Sequence, residues 1–245
     1  MHRFLLALAL ALVSLSGSAR ADERYYLLMF GSQRLPRTPD NAHTFATFVK
    51  RCEGPNGVQL EVRTISWLPA SEKIRTHALR PEAGRNFALD ETIRFVQNDR
   101  QRVSLWGPYE IRPELFEMAG RQIEQLNAGR IRYKANDGLY RSDDATNCIH
   151  AVGVLATGNR RHLISPGWGD TASDTVLESL MPWVIGRTTT HDCVARELGL
   201  EKYAIAYRKV TEKPLIPVGS GLPLVLNDWI PKPTFGPPEI GRAHV

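Results

Sequence analysis

Apolar and polar side chains alternate in short runs over the first third of the chain after residue 24. "RYYLLMFGSQ" (24–33) predicts a strand, "HTFATFVK" (43–50) a second, and "VQLEVRTISWL" (58–68) a third in which Val58, Leu60 and Val62 recur every second residue. The turn "CEGPNG" and the other short links predict an antiparallel meander. The period then changes. "LDETIRFVQNDR" (89–100) predicts a helix capped by Asp90, with Ile93 and Val96 towards one face, and "RVSLWGPYEI" a short strand ending at Gly107 and Pro108. The clearest helical period lies in "RPELFEMAGRQIEQLNAG", where Leu115, Met118, Ala119, Gln122 or Ile123, and Leu126 share a face. There Pro113 suits the first turn and Gly129 the exit. A strand in "RIRYKA", a loop "DGLYRSDDATN", a helix opening at Cys148 and helices near 173–186 and 190–198 complete the pattern. The predicted class is α+β, an antiparallel sheet packed against helices.

The two ends of the chain are read differently. "MHR", the apolar "FLLALALALVSL" and the small-residue site "ARA" predict a signal peptide over residues 1–21. Its apolar run is about a dozen residues where a crossing helix needs ~20, so no integral membrane span is predicted and the expected location is periplasmic or secreted. Residues 22–212 are expected to form one domain, and 213–245, with "EKPLIPVGSGLP" and "PKPTFGPPEIG", a Pro/Gly-rich extension wrapped over the surface. The 42% hydrophobic content suffices for a core. Of 31 basic residues, Arg3 and Arg20 lie in the leader, which lowers the net charge from +5 to +3. The remaining basic residues are scattered rather than gathered in a stripe, which argues against a nucleic-acid partner. No HExxH, CxxC or paired His/Cys spacing occurs, so neither a metal nor another cofactor is predicted.

Cys52, Cys148 and Cys193 are an odd number for an oxidising compartment. Either one disulfide leaves a spare thiol, or Cys148 is free because it is used, with Cys52 and Cys193 paired or unpaired. The second reading draws on "SDDATNCIHAVGVLATG" (142–158), where Thr146 or Asn147 caps an apolar helix and places Cys148 in its first turn. A helix N-terminus favours thiolate over thiol, and its unpaired N–H groups can hold an oxyanion.

A thiol nucleophile needs a base. His150 stands two residues from Cys148 on the same helix and points about 200° away. His162 would return only part of the way along a following strand. His77 and His191 lie in turn-like segments, and His244 in the tail. His43 opens a predicted strand, where sheet hydrogen bonds make a rigid platform, and is the candidate base. Pairing 43–50 with 58–68 brings residues 63–67 opposite it and offers Thr64 or Ser66 as the group that orients the imidazole, with a backbone carbonyl or a water as further alternatives.

A histidine on an early strand followed about a hundred residues later by "NC-x-H" at a helix start resembles the circularly permuted NlpC-type papain-like proteins. "TNCIHA" is similar to the Asn-Cys-Glu-His-Phe motif of their lecithin:retinol acyltransferase-like branch, with Ile149 and Ala151 in place of Glu and Phe. The stretches "HTFATFVK", "TISWLP", "GPYEI" and "GRIRYKANDG" also resemble an uncharacterised family of exported bacterial proteins. The resemblance implies a permuted papain-like fold over residues 24–160, Cys148 as nucleophile, His43 as base and a polar third member on the adjoining strand.

The expected activity is hydrolysis of an amide in a small peptide or glycopeptide, with acyl transfer or lipid-ester cleavage as alternatives on the same scaffold. The competing class is an exported binding or structural module without turnover. Asn147 is a candidate substrate contact, as are Trp106 and Tyr109 if "WGPYE" makes a tight turn lining an acceptor groove rather than packing under a loop. "SPGWGDTASDTV" reads as a helix entry capped by Ser173 or Asp174 rather than as a phosphate cradle.

Overall fold

The computed structural model describes residues 22–209, apart from 37, 56, 138–143, 159–164, 166 and 187–189. The chain divides into two units, 1–211 and 212–245, and all described residues belong to the first. The expected signal peptide and C-terminal extension lie outside the described residues.

The backbone begins with the hairpin of β1 (Asp22–Gln33) and β2 (Ala42–Gly54), followed by β3 (Gly57–Ile65), β4 (Trp67–Pro69) and β5 (Gly84–Asn86). Helix α1 (Leu89–Asn98), β6 (Arg102–Glu110), α2 (Pro113–Asn127), β7 (Arg132–Tyr133) and β8 (Ala145–Thr146) come next. Helices α3 (Cys148–Thr157), α4 (Asp170–Leu180) and α5 (Asp192–Glu197) and strand β9 (Ile205–Arg208) complete the unit. The main sheet runs β3-β2-β1-β6-β9 and is antiparallel except for the β6–β9 pair. Two small pairs, β4–β5 and β7–β8, stand beside it. The architecture is α+β.

β1 shows why the central strand carries an unbroken apolar run. Leu27 and Met29 face a core shared with α2, α3 and α4, whereas Tyr26, Leu28 and Phe30 face a second core with α1 and α5. A strand covered on both faces needs no polar alternation. β3 is the opposite case, an edge strand with Val58 and Val62 exposed.

Several expected boundaries move, each for a local reason. The strand expected over 58–68 breaks at Ser66, whose N–H donates to Asn86 Oδ1 instead of to β2. Asp90 is not the cap of α1. Ala88 occupies that position, Glu91 accepts from its N–H, and Asp90 pairs with Arg94 one turn along. The expected stop at Gly107–Pro108 is a bulge inside β6: Gly107 has φ +88°, and the register against β1 shifts between Leu27 and Met29. Trp106 and Tyr109 on either side of it are buried in the core, so no acceptor groove forms there. α4 starts at Asp170 after Gly169, ahead of both expected caps, and ends at Leu180, followed by a single 3-10 turn (Met181–Trp183). Ser173 instead donates to the Phe30 carbonyl, tying α4 to β1.

Candidate active site

α3 begins as its sequence predicts. The Asn147 side chain accepts from the His150 N–H at 2.8 Å, and Gly158 at φ +68° ends the helix. The Ala151 N–H is bonded to the Asn147 carbonyl, which leaves the Cys148 and Ile149 N–H groups of the first turn. These two and the N–H of Thr44 on β2 act on the Cys148 sulfur.

His43 lies on β2 opposite Ser32 of β1, three residues beyond the last residue of β2 that pairs with β3. It is 1% exposed. Its Nε2 is 2.9 Å from Ser66 Oγ, and its Nδ1 is buried with no hydrogen-bond partner. Ser66 reaches the ring because it sits in the break between β3 and β4, held by Asn86. Thr64 does not reach it. It pairs with Thr47 four residues further along β2, their hydroxyls 3.0 Å apart.

His43 and Cys148 line one small, partly open recess of about 10 Å³, room for about one water molecule. Thr44, Tyr133, Ala135, Asn147 and Trp168 are among its other walls. The alternatives dismissed on geometry lie elsewhere or are otherwise engaged. His150 turns its Nδ1 to Asp137 at 2.6 Å, His191 stands 3.8 Å from Glu110, and His162 and His244 are outside the described residues. Cys52, Cys148 and Cys193 are all free thiols, so no disulfide engages Cys148.

The electrostatics correct one expectation. Burial pushes the Cys148 thiol up to about 11. The Thr44 N–H opposes this, the Asp137 charge adds to it, and the Cys148 and Ile149 N–H groups oppose it. The helix end does favour thiolate, but removing the sulfur from water outweighs it. Burial likewise holds the His43 imidazole down to about 3. The resting pair is therefore thiol and neutral imidazole. With Nε2 against Ser66, Nδ1 is the nitrogen that remains to accept a proton. That nitrogen has no hydrogen-bond partner, Cys148 Sγ included, so the two side chains share the cavity without being bonded to each other.

Sequence reasoning missed Tyr133, Asp137 and Trp168. Ile131, Tyr133 and Ala135 alternate as apolar positions in "RIRYKA" and all three are buried, but nothing local marks Asp137 or Trp168. Burial, then the charges of Cys148 and Asp137, raise the Tyr133 hydroxyl well above its ordinary value, so it remains a donor. Asn147, expected as a substrate contact, is engaged as the cap and with Asp137, although it also lines the cavity. Among the described residues no group of three or more His, Cys, Asp or Glu side chains is arranged to hold a metal, and no helix is long and apolar enough to cross a membrane. Comparison of the chain with family models, with curated proteins and with solved structures gives no match.

Proposed function

We propose that this chain is an exported cysteine hydrolase acting on an amide of a peptide or cell-wall fragment, built on a permuted papain-like scaffold. One observation carries the reading. Cys148 in the first turn of α3 shares a cavity with His43, whose Nε2 is held by Ser66 and whose Nδ1 has no partner. Nδ1 thus remains available to take up a proton beside the thiol.

In the proposed reaction the Cys148 sulfur attacks the substrate carbonyl carbon while its proton passes to His43 Nδ1. The carbonyl oxygen takes the electron pair and is held by first-turn N–H groups of α3. Collapse breaks the carbon–nitrogen bond, His43 returns the proton to the leaving amine, and an acyl thioester remains on Cys148. Water, deprotonated by His43, then releases the acid and restores the thiol. Ser66, whose hydroxyl can donate or accept, takes the hydrogen of Nε2 in the tautomer this step requires.

The tightness of the recess favours a second reading, a binding module of the same scaffold without turnover, since Cys148 is only 9% exposed. Acylation by p-nitrophenyl acetate separates the two. A burst of nitrophenolate lost in both Cys148→Ala and His43→Ala is expected for the hydrolase. No burst from the parent protein, or one that survives in His43→Ala, sinks it.

A further inference from the structure

The histidine of the NC-x-H stretch is unused by the dyad, yet His150 and Asn147 converge on one buried carboxylate. Asp137 is 8% exposed and lies ten residues before Asn147. Its Oδ2 accepts from the Asn147 backbone N–H at 3.0 Å and lies 2.6 Å from His150 Nδ1, while its Oδ1 accepts from Asn147 Nδ2 at 2.9 Å. Asn147 Oδ1 in turn accepts from the His150 N–H. Cap, carboxylate and imidazole thus form a closed ring around the first turn of α3, the turn that carries Cys148.

Resting on the cysteine reading above, we propose that Asp137 is a positioning residue. Through Asn147 and His150 it fixes the first turn of α3 and so the direction in which the Cys148 sulfur and its neighbouring N–H groups face the cavity.

Two features separate this from ordinary loop anchoring. The ring uses both carboxylate oxygens on both sides of the nucleophile, and Asn147, one of its members, is itself a wall of the cavity. Asp137 is also close enough to act on the sulfur directly. The titratable groups facing Cys148 are His43 from β2, Tyr133 from β7 and Asp137, and Asp137 is the one whose charge opposes thiolate formation. The carboxylate therefore has two separable effects. It orients the thiol through hydrogen bonds, and it disfavours thiolate by repulsion until a base takes the proton.

The test uses the whole chain with Cys52→Ser and Cys193→Ser, so that Cys148 is the one thiol. Alkylation of Cys148 by iodoacetamide at pH 8 reads thiolate population, and the p-nitrophenyl acetate burst reads productive orientation. Asp137→Asn removes the charge and is expected to speed alkylation, since that charge disfavours thiolate, while slowing the burst at least tenfold. His150→Ala opens the same ring but keeps the charge, so it is expected to slow the burst without speeding alkylation. Equal and parallel changes in both variants would mean that loosening alone explains them and would overturn the proposal, as would an unchanged burst in Asp137→Asn.

If Asp137→Asn does not fold, Asp137→Glu decides. Its charge is kept and its reach altered, so the burst should fall while alkylation stays within twofold of the parent, and any other outcome counts against positioning. A His43→Ala control run alongside reports on the dyad separately, since an unaltered burst there defeats the dyad whatever Asp137 does.

Discussion

Helices α3 and α4 pack against each other in one layer, and each begins with a group that a helix N-terminus favours in its charged form. They treat that group in opposite ways. At α4, Asp170 meets Arg102 at 2.6 Å, Arg208 at 3.2 Å and the Gln33 amide at 3.2 Å, at a site open to solvent on the arginine side. At α3, Cys148 is buried beside a neutral imidazole, and the Asp137 charge that acts on it has the wrong sign to help a thiolate. The same helix-end field thus meets counter-charges in one place and burial without a counter-charge in the other. A helix N-terminus does not make an anion by itself. Where burial dominates, the group stays neutral and has a proton to give.

The sharpest way to break that comparison is to remove the proton's donor or acceptor. Cys148→Ala is expected to abolish any acyl transfer. His43→Ala is expected to lower it by about 10²–10⁴, the range of general acid–base contributions. In the proposed mechanism the reactive form is the pair carrying one proton, so the rate should stay flat between the two limits set by burial, about 3 for His43 and about 11 for Cys148. A rate that climbs steadily from pH 6 to pH 9 would instead indicate a thiolate formed without His43.

Stability should record the same burial. His43 in the unfolded chain takes a proton near its ordinary 6.5, whereas the folded chain refuses it until about 3. The contribution is fully present above pH 6.5 and is lost as pH falls through that window, with a total on the order of 5 kcal/mol. Cys148 acts in the other direction. Its folded value near 11 lies above its ordinary 9.0, so stability falls as pH rises from 9 towards 11. Urea titrations at pH 7, 5 and 4 should show a steeper acid loss in the parent than in His43→Gln, and equal slopes would contradict the buried neutral imidazole.

How much of this was legible depends on which distances matter. The three early strands, the long amphipathic α2 and the helix opened by Asn147 and Cys148 were readable because period and caps are local signals. That His43 and Cys148 would line one recess was readable because elimination left few rivals and a strand start is rigid. The choice between Thr64 and Ser66 was not. It depends on β3 breaking at Ser66, which Asn86 brings about from twenty residues away. Trp106 and Tyr109 were misplaced because a Gly-Pro pair marks a turn or a bulge equally well in sequence, and the register against β1 decides. Asp137 was missed because its three bonds run to residues ten and thirteen positions further along the chain, which no local signal marks.

Ser66 and Thr64 offer a smaller test of the same register. Ser66→Ala removes the group against Nε2, frees the ring to turn, and should lower acylation roughly tenfold while leaving alkylation of Cys148 within a factor of two or three. Thr64→Val removes a hydroxyl bonded to Thr47 and should cost about 1 kcal/mol of stability with no change in acylation. The reverse ranking of the two variants would place the orienting group on the wrong residue.

The smallest effect is expected at α4, and it probes the contrast between the two helix starts. Asp170→Asn deletes the carboxylate that Arg102 and Arg208 share, but both guanidinium groups are well exposed, at 51% and 41%. Asp170 itself is 17% exposed and also accepts from Gln33, so the loss is expected to be about 1 kcal/mol and the melting temperature should move by only a few degrees. Gly169 and Trp168, which precede Asp170, line the cavity, whereas Asp170 itself does not. Alkylation of Cys148 should therefore remain within twofold of the parent at every pH. A shift in its midpoint would mean that the Asp170 cluster reaches the sulfur electrostatically, and that the two helix starts are one charged system instead of two independent ones.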